Sequence, residues 1–308
     1  MNREEIKKQI EEKTSAEVQF DVPMSKYTSM RIGGPAKIFI RITNVDDLKH
    51  ILYVAKKEDI PIWVLGNGTN TVVKDGGLNK LVLKIDLKEV NYLDNYKDDE
   101  YKYVEAYSGV QLKGLTYELA RKGLGPIAHL HGIPATIGGA IKMNAGAYDL
   151  EMKDIIYETT YMDLDGNLHT AVLDEHEFGY RMSIFQYNKA IVIKTILRLK
   201  EVDKVKELQE AKEIMALREE RQPLNYPNSG SFFKRGDDYF ASKLIDDHGL
   251  KGKQFGGIAV SEKHAGFIVN KDKETYKDLK ELVEYVKDKI YEETGNKLEQ
   301  EVIVIGDE

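Results

Sequence analysis

The sequence predicts an α+β protein in which two small subdomains, residues 1–90 and 91–203, precede a third α+β domain, residues 204–308. Strand-like alternation and helical spacing of apolar residues follow one another along the chain, and 308 residues are enough for two or three hydrophobic cores. A glycine-rich loop lies in each of the first two segments. A charged helical stretch then separates them from the last segment and is a natural domain connector.

The first subdomain is predicted to be a β-α-β unit preceded by a short peripheral helix. Thr43 or Asn44 is positioned to cap the central helix, whose apolar residues recur at helical spacing. The predicted elements are a helix over 3–13, a strand over 37–41, a helix through Val45, Leu48, Ile51, Leu52 and Ala55, and strands over 60–65 and 81–85.

The second subdomain is predicted to be strand-rich with one helix. Gly123 ends that helix, and Asp165-Gly166 favours a type I′ hairpin turn. The predicted elements are a strand over 101–107, a helix over 112–122, a hairpin over 159–173 and a strand over 190–199.

The third domain is predicted to follow a connector helix and a loop-rich stretch. Its last helix carries an apolar face and ends at Gly295. The predicted elements are the connector helix over 202–221, the loop over 222–238, a helix over 239–247, strands over 257–260 and 265–269, a helix through Leu279, Leu282, Val283, Val286 and Ile290, and a strand over 301–305.

Composition excludes several classes of protein. The net charge of −7 argues against a broad nucleic-acid footprint. The absence of cysteine excludes disulfides, thiolate nucleophiles, iron–sulfur clusters and thiolate zinc sites. The N-terminal residues are charged rather than apolar, and no apolar run approaches the roughly 20 residues of a membrane-spanning helix. We therefore expect a cytoplasmic protein that binds neither nucleic acid nor membrane.

The first glycine loop, residues 66–71, nearly matches the G-x-G-x-x-G pattern but has Thr71 in the sixth position. A strand and turn are expected to follow it, whereas a Rossmann fingerprint requires a helix there. Backbone N–H groups would then hold an anion without a helix dipole. The alternative is an ordinary β-turn.

The second glycine loop, residues 132–148, is richer in small residues. Pro134 is expected to start a short helix, and Gly138 and Gly139 would let that helix lie flat against a planar ring. The alternative is a packing seam between helix and sheet. Together, the two loops suggest a dinucleotide gripped from two sides.

Other polar residues are weaker candidates when taken singly. Arg181 could clamp a carboxylate or form a surface ion pair, and Ser231 could be an exposed hydroxyl or an ordinary turn serine. Glu299 and Glu301 enter the last strand two residues apart and should face the same side. His264 could bind phosphate or act as an acid, although a structural histidine is more common.

A histidine pair, His129 and His131, lies in a stretch that looks strand-like. Metal binding by two histidines needs further ligands, and no third ligand has convincing spacing. We therefore expect no metal site.

Eight motifs in a fixed order make the chain resemble the UDP-N-acetylenolpyruvoylglucosamine reductase family, particularly its shorter (type II) subtype, which lacks an extra substrate-covering loop. The resemblance covers roughly residues 20–306. The motifs lie at residues 27–36, 65–70, 132–148, 180–186, 221–223, 229–234, 263–267 and 298–306.

This resemblance implies a two-subdomain FAD-binding fold of the vanillyl-alcohol-oxidase type, followed by a substrate-binding domain. The implied cofactor is FAD, with NADPH as co-substrate. The implied reaction reduces UDP-N-acetylglucosamine enolpyruvate to UDP-N-acetylmuramate in peptidoglycan precursor synthesis, which serves cell-wall biogenesis, cell shape and cell division. We expect a monomer.

The resemblance also implies roles for individual residues. The implied catalytic residues are Ser231, Arg181 and Glu301. The implied cofactor-binding residues are Leu65, Gly66, Asn67, Gly68, Thr69, Asn70, Gly132, Ile133, Pro134, Ala135, Gly138, Gly139, Asn144, Ala145, Gly146 and Val192. The implied substrate-binding residues are Arg221, Gln222, Ser229, Gly230, Lys234, Lys263 and His264.

Within these roles, reduced flavin passes hydride to the enolpyruvyl methylene carbon. Arg181 clamps the substrate carboxylate, Glu301 hydrogen-bonds the same carboxylate and must then carry a proton, and Ser231 donates the proton that completes the reduction. A serine is a very weak acid, so Lys234 or a water is expected to assist it.

Three positions depart from the family pattern. Ala135 stands where glycine is usual, Thr69 replaces a frequent serine, and Arg235-Gly236 replaces an Asn-Pro pair. None of these substitutions touches the implied chemistry, although Ala135 adds a methyl group beside the cofactor.

Two alternatives remain open from the residues themselves. One is an oxidase of alcohols or sugars with the same architecture, which the lack of a histidine or cysteine suited to covalent flavin attachment disfavours. The other is a non-catalytic protein that binds a nucleotide sugar. Flavin colour and its response to NADPH separate the three.

Overall fold

The structure of the protein, a computed structural model, describes residues 2–94, 96, 99–272 and 275–307. The chain forms two compact units, each built from three separate stretches. The first unit comprises Met1–Gln19, Ile38–Gly66 and Leu81–Ala216, and the second comprises Phe20–Lys37, Asn67–Lys80 and Leu217–Glu308. The division at residues 90 and 203 stays a prediction.

The N-terminal part contains the expected strand–helix–strand unit. Asn44 caps its central helix by accepting a hydrogen bond from Asp46 N at 2.9 Å. The elements are α1 (Arg3–Glu11), β1 (Val18–Pro23), β2 (Pro35–Ile42), α2 (Val45–Lys57), β3 (Ile62–Leu65), β4 (Thr71–Val73) and β5 (Leu78–Ile85). Four of these strands form a sheet in the order β1-β2-β5-β3, with β3 and β5 parallel.

The following part is a mainly antiparallel sheet covered by two helices. Its elements are β6 (Val90–Leu93), β7 (Lys102–Tyr107), α3 (Leu112–Lys122), β8 (Leu124–Gly125), α4 (Ile137–Lys142), β9 (Gly146–Ala147), β10 (Leu150–Glu151), β11 (Ile156–Met162), β12 (Leu168–Val172) and β13 (Ile191–Glu201). The sheet has the order β12-β11-β13-β7-β6, with β8 also paired to β13. Leu115 and Leu119 of α3 and Ile137 and Ile141 of α4 belong to the core that covers it.

The hairpin of β11 and β12 has a different turn from the one predicted. Met162 pairs with Leu168, so five residues connect the strands. Only Gly166 of the Asp165-Gly166 pair has a positive φ, whereas a type I′ turn needs two. The carboxylate of Asp163 shapes the longer turn by accepting hydrogen bonds from Asp165 N and Asn167 N, each at 2.9 Å.

The C-terminal part packs two helices on a small antiparallel sheet. Its elements are α5 (Lys204–Arg221), β14 (Asn228–Ser231), α6 (Ala241–Asp247), β15 (Gln254–Phe255), β16 (Ile258–Val260), β17 (Phe267–Asn270), α7 (Tyr276–Thr294) and β18 (Ile303–Ile305). The sheet order is β14-β17-β16-β15, and β18 pairs in parallel with β4. The core beneath α7 includes Leu282, Val286, Ile290, Phe232 and Ile268.

Strand β14 lies in the stretch that the sequence predicts to be a loop. Its residues, Asn-Ser-Gly-Ser, lack the apolar alternation of a strand. Pairing with β17 orders it, in a register that shifts between Asn228 and Ser231. Tertiary pairing here overrides the local preference.

Among the residues that the structure describes, every helix is too short or too polar to cross a bilayer.

Candidate active site

The first glycine loop leads from β3 to β4, so a strand follows it as predicted. Leu65 is buried at its start. Gly66 lies against Thr136, because a Cβ at Gly66 would stand 2.7 Å from Thr136 Oγ1. The side-chain-free position therefore lets the end of β3 approach the start of α4.

The rest of this loop rests on the segment Tyr27–Ser29, which belongs to the first sequence motif. Gly68 has φ 63°, and a Cβ there would stand 2.1 Å from the Tyr27 carbonyl oxygen. Ser29 N donates to Gly68 O at 3.0 Å. Asn70, at the end of the loop, donates through Nδ2 to Glu301 O at 3.2 Å. A backbone bond at Gly68 and a side-chain bond from Asn70 thus hold this part of the loop.

The helix in the second glycine loop begins at Ile137, not at Pro134 as predicted. Thr136 is its N-cap and accepts a hydrogen bond from Gly139 N at 3.4 Å. The Ala135 carbonyl accepts from Leu112 N at 2.9 Å, which holds the preceding residues outside the helix. Proline before the cap is therefore part of the approach to the helix.

The first turn of α4 packs against Ser108, whose hydroxyl bears on the binding of a cofactor. A Cβ at Gly138 would stand 2.8 Å from the Cβ of Ser108, and Gly138 N donates to Ser108 O at 2.9 Å. Ser108 Oγ is buried with no hydrogen-bond partner among the described residues. Gly138 therefore packs closely on Ser108, as the packing-seam alternative expects. The unsatisfied Ser108 hydroxyl is a polar group that a bound FAD would supply with a partner, so the residues present fit the cofactor. Ser108 was not singled out from the sequence, although its Ser-Gly turn directly follows a predicted strand.

The predicted cofactor residues Asn144, Gly146 and Val192 each pack against other parts of the protein. Asn144 is fully buried, and its Nδ2 donates to Glu151 Oε2 at 2.9 Å and to Gly179 O at 3.0 Å. Its side chain is therefore committed to the protein itself. A Cβ at Gly146 would stand 2.6 Å from Leu150 O, so the β9–β10 pairing requires glycine. Val192 is buried in β13.

Arg181 occupies a tight turn between Gly179 and Met182, which bond to each other through both backbone groups. Its φ is 53°, in the left-handed region that arginine rarely adopts. Its guanidinium donates through Nη2 to Gly146 O at 3.1 Å, and its Cζ lies 5.2 Å from the Tyr180 ring centroid. Arg181 is thereby brought beside the second glycine loop.

Ser231 ends β14 and is exposed, while the two phenylalanines that follow it are buried. It pairs with Phe267 after the register shift. Gly230, with φ 75° and no atom within 4 Å of a built Cβ, supplies the backbone conformation that the bulge requires. The bulge sets the direction in which Ser231 leaves the strand.

Glu299 and Glu301 lie on a segment that is hydrogen-bonded to residues 232–234. Glu301 N donates to Phe232 O at 2.9 Å, and Lys234 N donates to Glu299 O at 2.8 Å. Phe232 directly follows Ser231, so the second unit places Ser231 and Glu301 on adjoining backbone segments. The Lys234 ammonium forms an ion pair with Glu299, whose side chain is 71% exposed.

Two predicted substrate-binding residues, Gln222 and Lys263, line a cavity of about 510 Å³ in the second unit. Gln222 Oε1 is buried there with no hydrogen-bond partner among the described residues, and so is Ser229 Oγ nearby in the sequence. Lys263 Nζ donates to Glu219 O at 2.5 Å. The other lining residues are Glu219, Pro223, Leu224, Asn225, Tyr226, Ser261, Glu262, Val269 and Lys271.

His264 is a partly buried histidine with a structural contact of its own. Its Nδ1 accepts a hydrogen bond from Gly266 N at 3.1 Å, and its ring meets Phe267 edge-on. Burial lowers the pKa of His264, and the nearby Lys251 charge lowers it further. Both effects favour the neutral ring, and since Nδ1 accepts a hydrogen bond, the proton of the neutral ring lies on Nε2.

The His129 and His131 stretch is a 3₁₀ turn, not the strand-like segment predicted. His129 contacts Glu210 Oε1 at 2.7 Å, and His131 contacts Thr116 Oγ1 at 3.1 Å. Both rings thus have protein partners. Within the described ranges, no group of three potential ligands could hold a metal ion.

Two family models match this chain. A family model described as an FAD binding domain matches residues 36–171. A second, described as the C-terminal domain of UDP-N-acetylenolpyruvoylglucosamine reductase, matches residues 222–305. These matches cover, respectively, the two glycine loops and the segment containing Ser231 and Glu301.

Full-length relatives share the same description. The UDP-N-acetylenolpyruvoylglucosamine reductase of Clostridioides difficile is 38% identical over 292 residues, covering 95% of this chain and 94% of that protein. The reductase of that name from Alkaliphilus oremlandii is 39% identical over 293 residues, covering 94% of each.

A solved structure agrees with these sequence relatives. The UDP-N-acetylenolpyruvylglucosamine reductase of Thermus caldophilus superposes with a TM-score of 0.78 at 32% identity, over 94% of this chain and 99% of that one. The predicted fold class, an FAD-binding fold followed by a substrate-binding domain, is confirmed. The chain belongs to the UDP-N-acetylenolpyruvoylglucosamine reductase family.

Proposed function

We propose that the protein is an FAD-dependent reductase that uses NADPH to convert UDP-N-acetylglucosamine enolpyruvate to UDP-N-acetylmuramate, a step in peptidoglycan precursor synthesis. Membership of the family supports the reaction, and the match of residues 36–171 to an FAD binding domain supports the cofactor. The observation that carries the proposal is the hydrogen bond from Glu301 N to Phe232 O at 2.9 Å. Because Phe232 directly follows Ser231, this bond brings the backbone of Glu301 next to that of Ser231. An acid and a hydrogen-bonding carboxyl group are thereby available in one substrate domain.

The reaction is difficult because an enol ether is electron-rich and resists hydride. FAD, when bound and reduced by NADPH, would supply the hydride for the methylene carbon of the enolpyruvyl group. The chain must then stabilise negative charge that develops toward the substrate carboxylate.

Arg181 and Glu301 serve that need in the proposal. The planar guanidinium of Arg181 clamps both carboxylate oxygens, a geometry that a lysine ammonium cannot reproduce. Glu301 donates a hydrogen bond to the same carboxylate, which requires Glu301 to hold a proton at that stage.

Ser231 donates the proton that completes the reduction. A serine hydroxyl is a weak acid, so the deprotonated oxygen needs help from its surroundings. Because Lys234 already pairs with Glu299, we favour a water over Lys234 as the assisting group.

The nucleotide part of the substrate is assigned to the second unit. We propose that Gln222 and Lys263 bind it in their cavity, where Gln222 Oε1 lacks a protein partner among the described residues. The remaining proposed substrate contacts come from Arg221, Ser229, Gly230, Lys234 and His264.

The number of dinucleotide motifs bears on how NADPH and the sugar nucleotide bind. The sequence contains no second dinucleotide fingerprint, so NADPH and the sugar nucleotide are proposed to use the same cleft in turn. Steady-state kinetics should then be ping-pong, with parallel double-reciprocal lines. Intersecting lines would instead indicate a ternary complex.

We further propose that the enzyme works in the cytoplasm as a monomer. Light scattering of the purified protein should give a mass near 35.1 kDa. Fractionation of the source cells should leave the protein with the cytosolic enzymes.

The proposed function is tested by the colour of the protein. The purified protein should be yellow, lose its flavin absorbance when NADPH is added without oxygen, and regain it when the enolpyruvyl substrate follows. Re-oxidation by dioxygen but not by substrate would favour an oxidase. Colourless protein that still binds the nucleotide sugar would favour the non-catalytic alternative.

A further inference from the structure

We infer that Gln186 and Asn144 are positioning residues, which hold the turn that carries Arg181 so that its guanidinium is presented in one orientation. This inference rests on the proposed function of Arg181 as the clamp for the substrate carboxylate.

The turn itself is energetically unfavourable for arginine. Gly179 and Met182 close it through N–H···O contacts of 3.1 and 3.2 Å, and Arg181, its third residue, has φ 53°. Glycine adopts that conformation freely, whereas an L-residue with a Cβ is strained in it. Strained residues of this kind persist where their surroundings hold them, and such residues cluster at functional sites.

Gln186 holds the C-terminal side of the turn. Its Nε2 donates to Arg181 O at 2.7 Å and to Lys142 O at 3.0 Å. Both amide hydrogens are therefore directed at backbone carbonyls, one of which belongs to the strained residue itself. This pair of bonds also ties the turn to α4.

Asn144 holds the N-terminal side. Its Nδ2 donates to Gly179 O at 3.0 Å, and its Oδ1 accepts from Lys153 N at 3.0 Å. Asn144 is fully buried. Two residues further on, Gly146 O accepts from Arg181 Nη2 at 3.1 Å. The second glycine loop therefore contacts both the backbone and the guanidinium end of the arginine turn.

A matched control lies beside Gln186. Ser183 Oγ is buried and donates to Lys142 O at 2.8 Å, so it shares one acceptor with Gln186, whereas its hydroxyl proton is directed at Lys142 and not at Arg181. Replacing Ser183 with alanine removes a comparable local hydrogen bond. A purely structural role for Gln186 would make the two substitutions equivalent.

The test compares the binding of two ligands to the oxidised holoenzyme by titration calorimetry, without NADPH, so that no turnover is needed. The first ligand is the enolpyruvyl substrate, and the second is UDP-N-acetylglucosamine, which lacks the enolpyruvyl group and therefore its carboxylate. The dissociation constant of UDP-N-acetylglucosamine divided by that of the substrate measures how much the enolpyruvyl group, with its carboxylate, adds to binding. Arg181→Ala should reduce this ratio at least tenfold.

Gln186→Met keeps the length of the side chain but loses both hydrogen-bond donors. It should also reduce the ratio at least tenfold. The dissociation constant of UDP-N-acetylglucosamine itself should change less than threefold. Ser183→Ala should leave the ratio within twofold of wild type. In the Arg181→Ala background, Gln186→Met should cause no further loss, because both substitutions remove the same contact. Gln186→Glu, which is isosteric and directs oxygens at the two carbonyls, replaces Gln186→Met if the latter does not fold.

A ratio within twofold of wild type in the Gln186 variant would overturn the inference, and so would an equal loss in Ser183→Ala. If Arg181→Ala itself leaves the ratio unchanged, the proposed role of Arg181 fails instead. The two failures are therefore distinguishable.

Discussion

Ser231 is more exposed to solvent than the three residues on either side of it in the sequence. It is exposed at the end of β14, whereas Phe232 and Phe233 anchor the strand in the core and Gly230 provides the positive φ before it. The buried aromatics fix the backbone, so the hydroxyl can be accessible without being mobile. This combination suits a group that must deliver one proton at a defined point.

Ser231→Ala should separate the two half-reactions. Flavin reduction by NADPH should stay within about twofold of wild type, while re-oxidation by the enolpyruvyl substrate should slow by roughly 10²–10⁴-fold, the usual contribution of a general acid. Anaerobic stopped-flow absorbance measures both rates, and the first serves as the internal control. Wild-type rates in both would remove Ser231 from the mechanism.

At this scale, the proposed roles of single residues come from motif order and not from the local physics of each residue. Arg181, Ser231 and Glu301 are each ambiguous alone, and only their place among eight ordered motifs predicts roles for them. Residues whose importance comes from three-dimensional contact could not be predicted in this way. The two bonds of Gln186 to carbonyls at Arg181 and Lys142 leave no periodic or compositional trace.

Among the secondary-structure elements, α3 shows how position within a helix decides the effect of glycine. Gly114 lies exposed in its interior with nothing within 4 Å of a built Cβ, while Gly123 ends the helix with φ 71°. Gly114→Ala should stabilise the protein by about 0.5–1 kcal/mol. Gly123→Ala should destabilise it by about 1–2 kcal/mol, because alanine is strained at positive φ. Urea unfolding measures both, and a shift of the same sign in the two variants would contradict this account.

Helix α5 holds the segment that leads into the second glycine loop. Glu207 is buried, and its Oε1 accepts hydrogen bonds from Ile127 N at 2.7 Å and Ala128 N at 2.8 Å. One turn along the helix, Glu210 contacts His129 at 2.7 Å from a more exposed position. The two glutamates therefore offer a direct comparison of buried and exposed contacts to one segment.

Glu207→Ala should lower the free energy of unfolding by about 2 kcal/mol or more, since two buried N–H groups lose their acceptor. Glu207→Gln should cost less because the amide oxygen can still accept. Glu210→Ala, the matched exposed change, should cost no more than about 1 kcal/mol. Equal losses from the two alanine variants in chemical denaturation would show that burial does not govern these contacts.

Elements with strong periodicity were predicted well, and elements made by tertiary contacts were not. The predicted helix over 112–122 matches α3, because its apolar spacing and C-terminal glycine agree. The start of α4 was wrong because the Thr136 cap determines it, and β14 was missed because it depends on pairing with β17. The turn at Gly166 was wrong because the Asp163 side chain, not the dipeptide, shapes it.

For the molecule as a whole, two histidines predict how stability varies with pH. Burial lowers the pKa of His176 and of His264 from the ordinary value of 6.5, against opposing effects of Glu175 and Asp246 respectively. Below that pH the unfolded chain binds these protons and the folded chain resists them. Stability is therefore fully present above pH 6.5 and declines as the pH falls through and below it.

Unfolding midpoints in urea should accordingly be lower at pH 5.5 than at pH 7.5. Replacing both histidines with glutamine should flatten this dependence, even if the variant is less stable at both pH values. An unchanged slope in the double variant would mean that carboxylates control the transition. His176→Gln alone tests the first unit, because its ring nitrogens contact Leu173 O at 2.9 Å and Thr159 Oγ1 at 2.8 Å.

The parallel pairing of β18 with β4 sets the order in which a newly synthesised chain can finish folding. Ile303 pairs with Thr71, and Ile303 N donates to the Asn70 carbonyl at 3.0 Å. The strand after the first glycine loop is made early by the ribosome, yet its partner emerges only after more than two hundred further residues have been added. The nascent chain therefore holds β4 without its β18 partner until the segment containing Ile303 has been synthesised, and the hydrogen bond to the Asn70 carbonyl forms only then.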